Sequence, residues 1–504
     1  MPRNNASSAP ENPVIPKAQE NPWYIRHFIK LLIGFGLGGG AIALVLPWML
    51  WLHCDMSSGS SDQLRLHLLY VTGGIIAVLT LLQTNWKNQG DRLKIDADIK
   101  KNEQDAEKNE RDHIRQVHAE RRSRYTKAVE QLADEKATVR LGGIYTLVGL
   151  VDEWLADESL EVEEQQKEGQ VIINNLCSYI RSPFPLAEKI DEYEASEELE
   201  TLKKQDSKNL TVSMSSRLKV LLERFEDSAE YEEPKDITAD RAQLREEQDV
   251  RRAIFEEMSK RSSTFTEDDK GKIISTIPGM WSNFDFNFSR APIFYPLNGF
   301  TVEQGNFAST RFYGEADFQG AKFTGDADFR NTEFTGNTHF ENAKFTGNAE
   351  FEDAKFTGHT RFWDAKFTKK AHFKNAEFTG STQFWGAEFT GNAEFKDAKF
   401  TRGVGFGRAK FTGNISFNQA YFEKYAPMFS NSFGSRRLFP AGFSAQANLQ
   451  DYYFSVSKDS KPINRGTATL DGKSLEIPLG AVLFDPDSWD EEKQEYTRLS
   501  EPAQ

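Results

Sequence analysis

The chain has 504 residues, enough for about two to four domains, and carries 62 Lys+Arg against 76 Asp+Glu for a net charge of −14. An acidic balance of this kind argues against a general nucleic-acid binder, which needs a basic surface. The two cysteines, Cys54 and Cys177, exclude a disulfide framework and a cysteine-based metal site.

Residues 1–22 are polar and rich in Pro, Asn and Ser; they read as a disordered tail, assigned to 1–26. Leu31 to Leu52 then run without a charge, and a second apolar run extends from about Leu66 to Trp86. Each is long enough to cross a bilayer as a helix, so 27–86 is predicted to be a two-span transmembrane hairpin. Trp23, Tyr24, Trp48, Trp51 and Trp86 lie where interfacial aromatics belong. A signal peptide is disfavoured by the long apolar core, the absence of a small-residue cleavage site and the second span directly after. Gly34 with Gly38, and Gly36 with Gly40, make overlapping small-xxx-small pairs that let helices approach closely. That pattern leaves packing on the second span and homo-oligomerisation both open. Arg26 and Lys30 precede the first span; Lys87, Arg92, Lys94, Lys100 and Lys101 follow the second, while the connecting loop holds Asp55 and Asp62. The positive-inside rule then places both termini in the cytoplasm.

Residues 87–130 are highly charged, lack Pro and contain only Gly90, so they are predicted to form a solvated helical stalk. Arg121, Arg122 and Arg124 read as a solvated helix face, with contact to anionic lipid or phosphate as the alternative. A helical region is expected over 131–261. Asp134 is the predicted N-cap of a helix whose Val139, Ile144, Leu147, Val148, Val151 and Trp154 share a buried face. Arg140 is expected to meet a helix C-terminus or a carboxylate. Another helix, Val171 to Ile180, ends before Ser182-Pro183. Residues 184–249 hold 19 Asp+Glu against 10 Lys+Arg, a net −9, and read as an acidic insertion, partly helical over Leu218–Phe225 and partly mobile. An amphipathic helix resumes at Val250–Arg261.

From Phe307 to Phe422, Phe recurs at gaps that alternate five and six residues without a miss. A small or β-branched residue sits two positions before most of them, as at Ala343, Ala349 and Ala354, and Thr-Gly often follows, as at Phe334-Thr335-Gly336. A helix would not tolerate a Gly or Thr in nearly every unit, and a long strand would be broken at every Gly. A chain that turns a corner every five or six residues fits, with the small residue and the Phe inward and polar turns at the corners. Such a solenoid shares its backbone hydrogen bonds between stacked coils. Whether a coil takes four Phe units or two stays open. The solenoid is assigned to 281–430, and 431–504 to a C-terminal cap of short strands with a frayed acidic tail from Asp485.

The run Ala343-Lys-Phe-Thr-Gly-Asn-Ala-Glu-Phe-Glu-Asp resembles the pentapeptide-repeat family in a Phe-centred variant. The resemblance implies a right-handed quadrilateral β-helix with Phe and Ala inside. A second resemblance rests on Lys127-Ala-Val-Glu-Gln-Leu, Val139-Arg-Leu-Gly-Gly-Ile-Tyr145 and Leu176-Cys-Ser-Tyr-Ile-Arg181. These are similar to bacterial membrane-anchored pentapeptide-repeat proteins, in which HEAT-like helices lie between two spans and the repeats. It implies a multi-domain protein of the bacterial inner membrane, with two transmembrane helices, a cytoplasmic α-helical region and the β-helix.

No phosphate-binding Gly loop, nucleotide fingerprint or zinc spacing is present, and no carboxylate is set apart by an apolar context. His339, His359 and His372 have no second His one coil away. The chain is therefore expected to be a non-enzyme without cofactor or metal. If four faces make a coil, Lys322, Lys344, Lys366, Glu388 and Lys410 form a basic column, and Asp328, Glu350, His372 and Glu394 an acidic one. Over 301–422 there are 15 Lys+Arg and 15 Asp+Glu, so the net charge is zero and duplex mimicry is disfavoured. The expected partners are the lipid bilayer and a cytoplasmic protein, with no nucleic acid. The expected role is a non-catalytic interaction scaffold, with Lys322, Lys344, Lys366 and Lys410 as its candidate surface. The alternative is a membrane sensor or effector whose spans oligomerise, and more distantly a nucleic-acid-mimicking inhibitor.

Overall fold

The computed structural model describes residues 22–54, 57–204, 212–225, 237–267, 273–431, 439–448, 451–490, 492–493 and 495–504. The predicted disordered tail up to residue 21 and the acidic stretch around Glu230 lie outside the described residues. The chain divides into two compact units, 1–117 and 118–504.

The first unit contains α1 (Trp23–Arg26), α2 (Phe28–His53) and most of α3 (Ser58–Leu132). α2 and the apolar start of α3 are long and apolar enough to cross a membrane. The predicted span and stalk are not separate elements: α3 is one helix of 75 residues, because no Pro interrupts it. α2 meets α3 through residues other than the predicted glycines. A Cβ on Gly39 would stand 2.3 Å from Thr72 Cγ2, whereas one on Gly34, Gly36, Gly38 or Gly40 would meet nothing within 4 Å. Ala43 and Pro47 are buried, and Ser61 Oγ donates to the Pro47 carbonyl at 3.3 Å. Helical phase explains the shift: Gly39, Ala43 and Pro47 recur every four residues and so share one side of α2.

In the second unit α4 (Ala137–Leu155) and α5 (Val162–Arg181) bury Ile144, Leu147, Val151, Ile173, Leu176 and Cys177. Asp134 is not the N-cap. Lys136 holds that position, and Asp134 Oδ1 accepts from the Lys136 N–H at 2.8 Å. The end of α3 still claims Asp134, whose N–H bonds the Gln131 carbonyl at 3.2 Å. The supposed insertion is largely regular structure: α6 (Ile190–Lys204), α7 (Val212–Phe225) and the first half of α8 (Ile237–Arg261). Leu199, Leu202, Leu221 and Phe225 pack α6 against α7. α8 starts well before Val250, and its buried face includes Glu247 and Arg251 as well as Ile254 and Phe255. Charged residues on a buried face hide a helix from any reading of apolar period.

Next comes the hairpin of β1 (Thr264–Glu267) and β2 (Ile273–Ile277), and then the solenoid. Two-residue strands form four parallel faces. Face 1 runs from Phe286–Asn287 to Tyr452–Tyr453, face 2 from Pro292–Ile293 to Tyr421–Phe422. Face 3 runs from Ala316–Asp317 to Val404–Gly405, face 4 from Thr301–Val302 to Val482–Phe484. From Thr301–Val302 to Lys399–Phe400 each strand pairs in register with the fourth strand after it, as in Glu333↔Lys355 and Phe345↔Phe367, so four Phe units close one coil.

Two corner types produce the alternating gaps. After Phe329, Phe340, Phe351 and Phe373 the corner turns through a residue of positive φ, namely Asn331, Asn342, Asp353 and Asn375, types that tolerate the left-handed region. The longer corners use Thr-Gly: a Cβ on Gly347 would lie 2.3 Å from the Gly325 carbonyl oxygen one coil away. Inside, each Phe stacks on the next coil's Phe; Phe340, Phe362 and Phe384 have centroids 4.9 Å apart and nearly parallel rings. Face-to-face rings are electrostatically poor, but the backbone ladder fixes the spacing, and edge contacts such as Phe351–Phe362 at 5.8 Å and 81° compensate.

Both ends of the stack are closed. Phe255 of α8 lies 4.7 Å from Phe288, Trp281 is fully buried, and the Gln170 side chain bonds both the N–H and the carbonyl of Asp285. At the other end the solenoid runs past residue 430, since Gly442–Ser444, Tyr452–Tyr453 and Val482–Phe484 join faces 4, 1 and 4. The tail from Asp485 is not frayed. Ser500 N–H bonds the Leu483 carbonyl at 2.9 Å, Ala503 N–H bonds the Ala481 carbonyl at 2.8 Å, and Ala503 is buried. An open strand edge leaves backbone groups unpaired, and the tail satisfies them.

Candidate interaction surface

The four faces carry different outward residues. On face 2, Arg311, Glu333, Lys355, Glu377 and Lys399 alternate in sign down the stack, and Arg311 Nε lies 3.4 Å from Glu333. On face 1, His372 sits between Glu350, 2.8 Å from Nδ1, and Glu394, 3.9 Å from Nε2. On face 3, His339 lies 3.0 Å from Glu341 and 2.9 Å from Glu315, and Arg361 stands 3.6 Å from Glu341. The hydrogen bond with Glu341 outweighs burial and raises the His339 pKa above its ordinary value. The groups that these two histidines pair with are thus carboxylates, with Arg361 beside His339 on the next strand.

Face 4 brings together Lys322, Lys344, Lys366, Glu388 and Lys410 by direct strand pairing. They are not equivalent. Lys410 lies 2.9 Å from Glu388 and 4.5 Å from the Trp489 ring centroid, with Tyr496 at 5.3 Å. Lys366 lies 3.9 Å from the same Glu388. Lys322 stands 5.8 Å from the ring of Phe265 in β1. The lysines at the two ends of the column therefore also anchor flanking hairpins, which the repeat pattern gave no means to foresee. The signal present in the sequence was the aromatic content of 489–496, Trp489 and Tyr496, within a segment otherwise read as tail.

The helices hold polar groups of which sequence reasoning named Arg140 and the arginines at 121, 122 and 124 but missed Arg251 and Glu247. Arg251 is buried and donates to Glu247 at 2.7 Å, to the Ile180 carbonyl at 2.9 Å and to Ser182 at 3.0 Å. Arg140 donates to Glu247 at 3.1 Å and to the carbonyls of Asp134 and Glu135, so it meets both a carboxylate and a helix-end turn. Burial pushes the Tyr179 hydroxyl, which donates to Glu247 at 3.2 Å, up to about 12. Of the arginines at 121, 122 and 124, Arg122 and Arg124 remain on a solvated face while Arg121 is mostly buried, and all three are paired with carboxylates. Arg121 pairs with Asp157 and Glu153, Arg124 with Glu153, and Arg122 with Glu168. Burial would raise the Asp157 carboxyl, but hydrogen bonds from Ser159, Arg121 and His118 hold it far below the usual range. These clusters fasten α3 to α4 and α5. Cys177 is fully buried, and burial pushes its thiol up to about 12, which leaves it unreactive.

The family model described as pentapeptide repeats (9 copies) matches residues 307–355, 340–388, 362–406 and 384–429, about a quarter of the chain. Neither curated proteins nor solved structures gave a match. With four faces to a coil, strands of two residues and a Phe at each inward position, the 307–429 segment is a pentapeptide-repeat β-solenoid, part of a stack of about six turns.

Proposed function

We propose that the chain is a membrane-anchored, non-catalytic scaffold whose solenoid presents a protein-binding surface on the cytoplasmic side of a bacterial inner membrane. The observation that carries this reading is face 4, where four lysines share one rigid outward column with a single Glu. Complementary charge on a stiff surface orients a partner and selects against wrong ones. The two apolar helices support the anchor: Leu37, Leu44, Tyr70 and Val71 are exposed in the protein, as residues facing lipid would be. The lysines flanking those helices support cytoplasmic termini. Photocrosslinking in intact membranes from positions 344 and 366 tests the reading, with partner identification. Recovery of discrete protein partners is expected; a chain that crosslinks only to lipid would overturn it.

The sensor or effector reading keeps one supporting observation. Gly34 with Gly38, and Gly36 with Gly40 on the opposite side of α2, meet nothing within 4 Å, so both sides have room for another helix. Vesicle leakage or conductance by the purified chain would favour that reading.

A further inference from the structure

We infer that the middle of face 4, from Lys344 to Glu388, is a groove that takes an acidic peptide segment of a partner protein. The inference rests on the scaffold reading and adds the site and the chemistry of its occupant. Each end of the lysine column is covered by the chain itself, with Phe265 of the β1–β2 hairpin at Lys322 and the Trp489 and Tyr496 hairpin at Lys410. Between these walls lie Lys344 and Lys366. The one acid of the column, Glu388, sits toward the Lys410 wall.

A departure from the repeat points to the same place. The corner that leads from face 4 to face 1 reads Thr324-Gly-Asp, Thr346-Gly-Asn, Thr390-Gly-Asn and Thr412-Gly-Asn, but in the central coil it reads Thr368-Lys369-Lys370. Glycine is preferred there because a Cβ crowds the coil before: one on Gly347 would meet the Gly325 carbonyl at 2.3 Å, and one on Gly391 the Lys369 carbonyl at 2.2 Å. Lys369 breaks that rule, and neither Lys369 nor Lys370 forms an ion pair among the described residues; both are exposed. Arg402 makes the same kind of departure at another corner, which does not border face 4. A local rule broken without structural gain marks a residue kept for function. The result is four lysines, 344, 366, 369 and 370, along one coil step and its corner.

The dimensions favour a peptide. Lys322 and Lys410 are four coil steps apart, roughly 19 Å at about 4.8 Å per step, which admits one extended segment or one helix between the walls. A flat bilayer cannot follow a groove walled by hairpins. A polynucleotide gains affinity by spanning many phosphates, and the zero net charge of 301–422 offers it no long basic track.

The test uses the full chain in detergent micelles and a fluorescein-labelled peptide of alternating Glu and Ser, with a Gln-Ser peptide as the neutral control. Anisotropy should report salt-sensitive binding of the acidic peptide alone. Lys369→Gly with Lys370→Asn restores the repeat pattern, so it should fold at least as well and yet weaken binding about tenfold. Lys355→Gln with Lys399→Gln removes the same two charges from face 2 and should leave binding unchanged. Absence of peptide binding, equal losses in the two double variants, or binding to phosphatidylglycerol vesicles or an oligonucleotide in place of the peptide would each overturn the groove. The scaffold reading fails separately, if the parent chain crosslinks no protein; partners undiminished in the Lys369→Gly, Lys370→Asn chain would leave the scaffold standing and remove this occupant.

Discussion

Phe362 is fully buried, with Phe340 and Phe384 stacked on either side at 4.9 Å. Its replacement by Ala leaves a cavity that the hydrogen-bonded coils cannot close, so Phe362→Ala should cost about 3–5 kcal/mol in denaturant unfolding. Lys366→Ala on the outward side of face 4 should stay within about 0.5 kcal/mol. His339 gives a pH signature. Its pKa is raised from 6.5, first by the hydrogen bond with Glu341, so the stability it contributes is full below the unfolded value and is lost as pH rises through the folded one. Burial acts to raise Glu341, but the bond from His339 and the nearby Arg361 lower it from 4.5, so its contribution is lost as pH falls through that lowered value. The pair is strongest between those limits. Melting temperature should fall as pH rises above the ordinary histidine value of 6.5 in the parent chain, and the fall should shrink in His339→Gln. Identical profiles for the two chains would assign the imidazole no role.

Among elements, the corners decide whether the coils stack. Gly347 has a carbonyl 2.3 Å from where its Cβ would be, and that carbonyl belongs to a coil fixed by its own ladder, whereas Gly403 has open space. Gly347→Ala should lower stability by about 1–3 kcal/mol, and Gly403→Ala should change it by less than about 0.5 kcal/mol. Thermal unfolding of the two variants checks this, and equal shifts would show that the corners yield more readily than their geometry indicates. Lys369 occupies the corresponding slot one coil after Gly347, so Lys369→Gly should not destabilise. The flanking hairpins belong to the same scale. They give face 4 its walls, and reversing all four column lysines would disturb the anchors at Lys322 and Lys410 along with the groove, which is why the corner lysines make the cleaner variant.

For the whole molecule, the lysines and arginines that flank the two apolar helices give an expected orientation in a membrane by the positive-inside rule. A phosphatase-type reporter that functions only outside the cytoplasm should be active when fused at Ser58 and inactive at Gln504. Activity at Gln504 would place the solenoid on the other side and remove the cytoplasmic scaffold reading. Within the second unit, α8 and the first coil share one core through Phe255, Phe288 and Tyr295, so helices and solenoid should unfold together as a single transition.

The repeat was plain in the sequence because its rules are local and recur every turn: Phe and Ala inward, Asn or Asp at one corner, Thr-Gly at the other. Repetition turned weak preferences into an unambiguous pattern, and the apolar runs of α2 and α3 were visible for the same reason, through length. That four Phe units rather than two make a coil was fixed only by the pairing of Glu333 with Lys355 and its fellows. Of the helices in 184–249 only Leu218–Phe225 was legible: α6 spaces its buried Ile190, Tyr193, Leu199 and Leu202 among acidic residues, and the start of α8 buries Glu247. Arg140 was expected to meet a carboxylate, but Glu247, 107 residues away in the chain, is named as that partner only by the fold. The candidate surface divides in the same way. The lysine column followed from spacing on the condition of four Phe units to a coil, while the walls around it came from Phe265, Trp489 and Tyr496, distant segments whose approach no local pattern encodes.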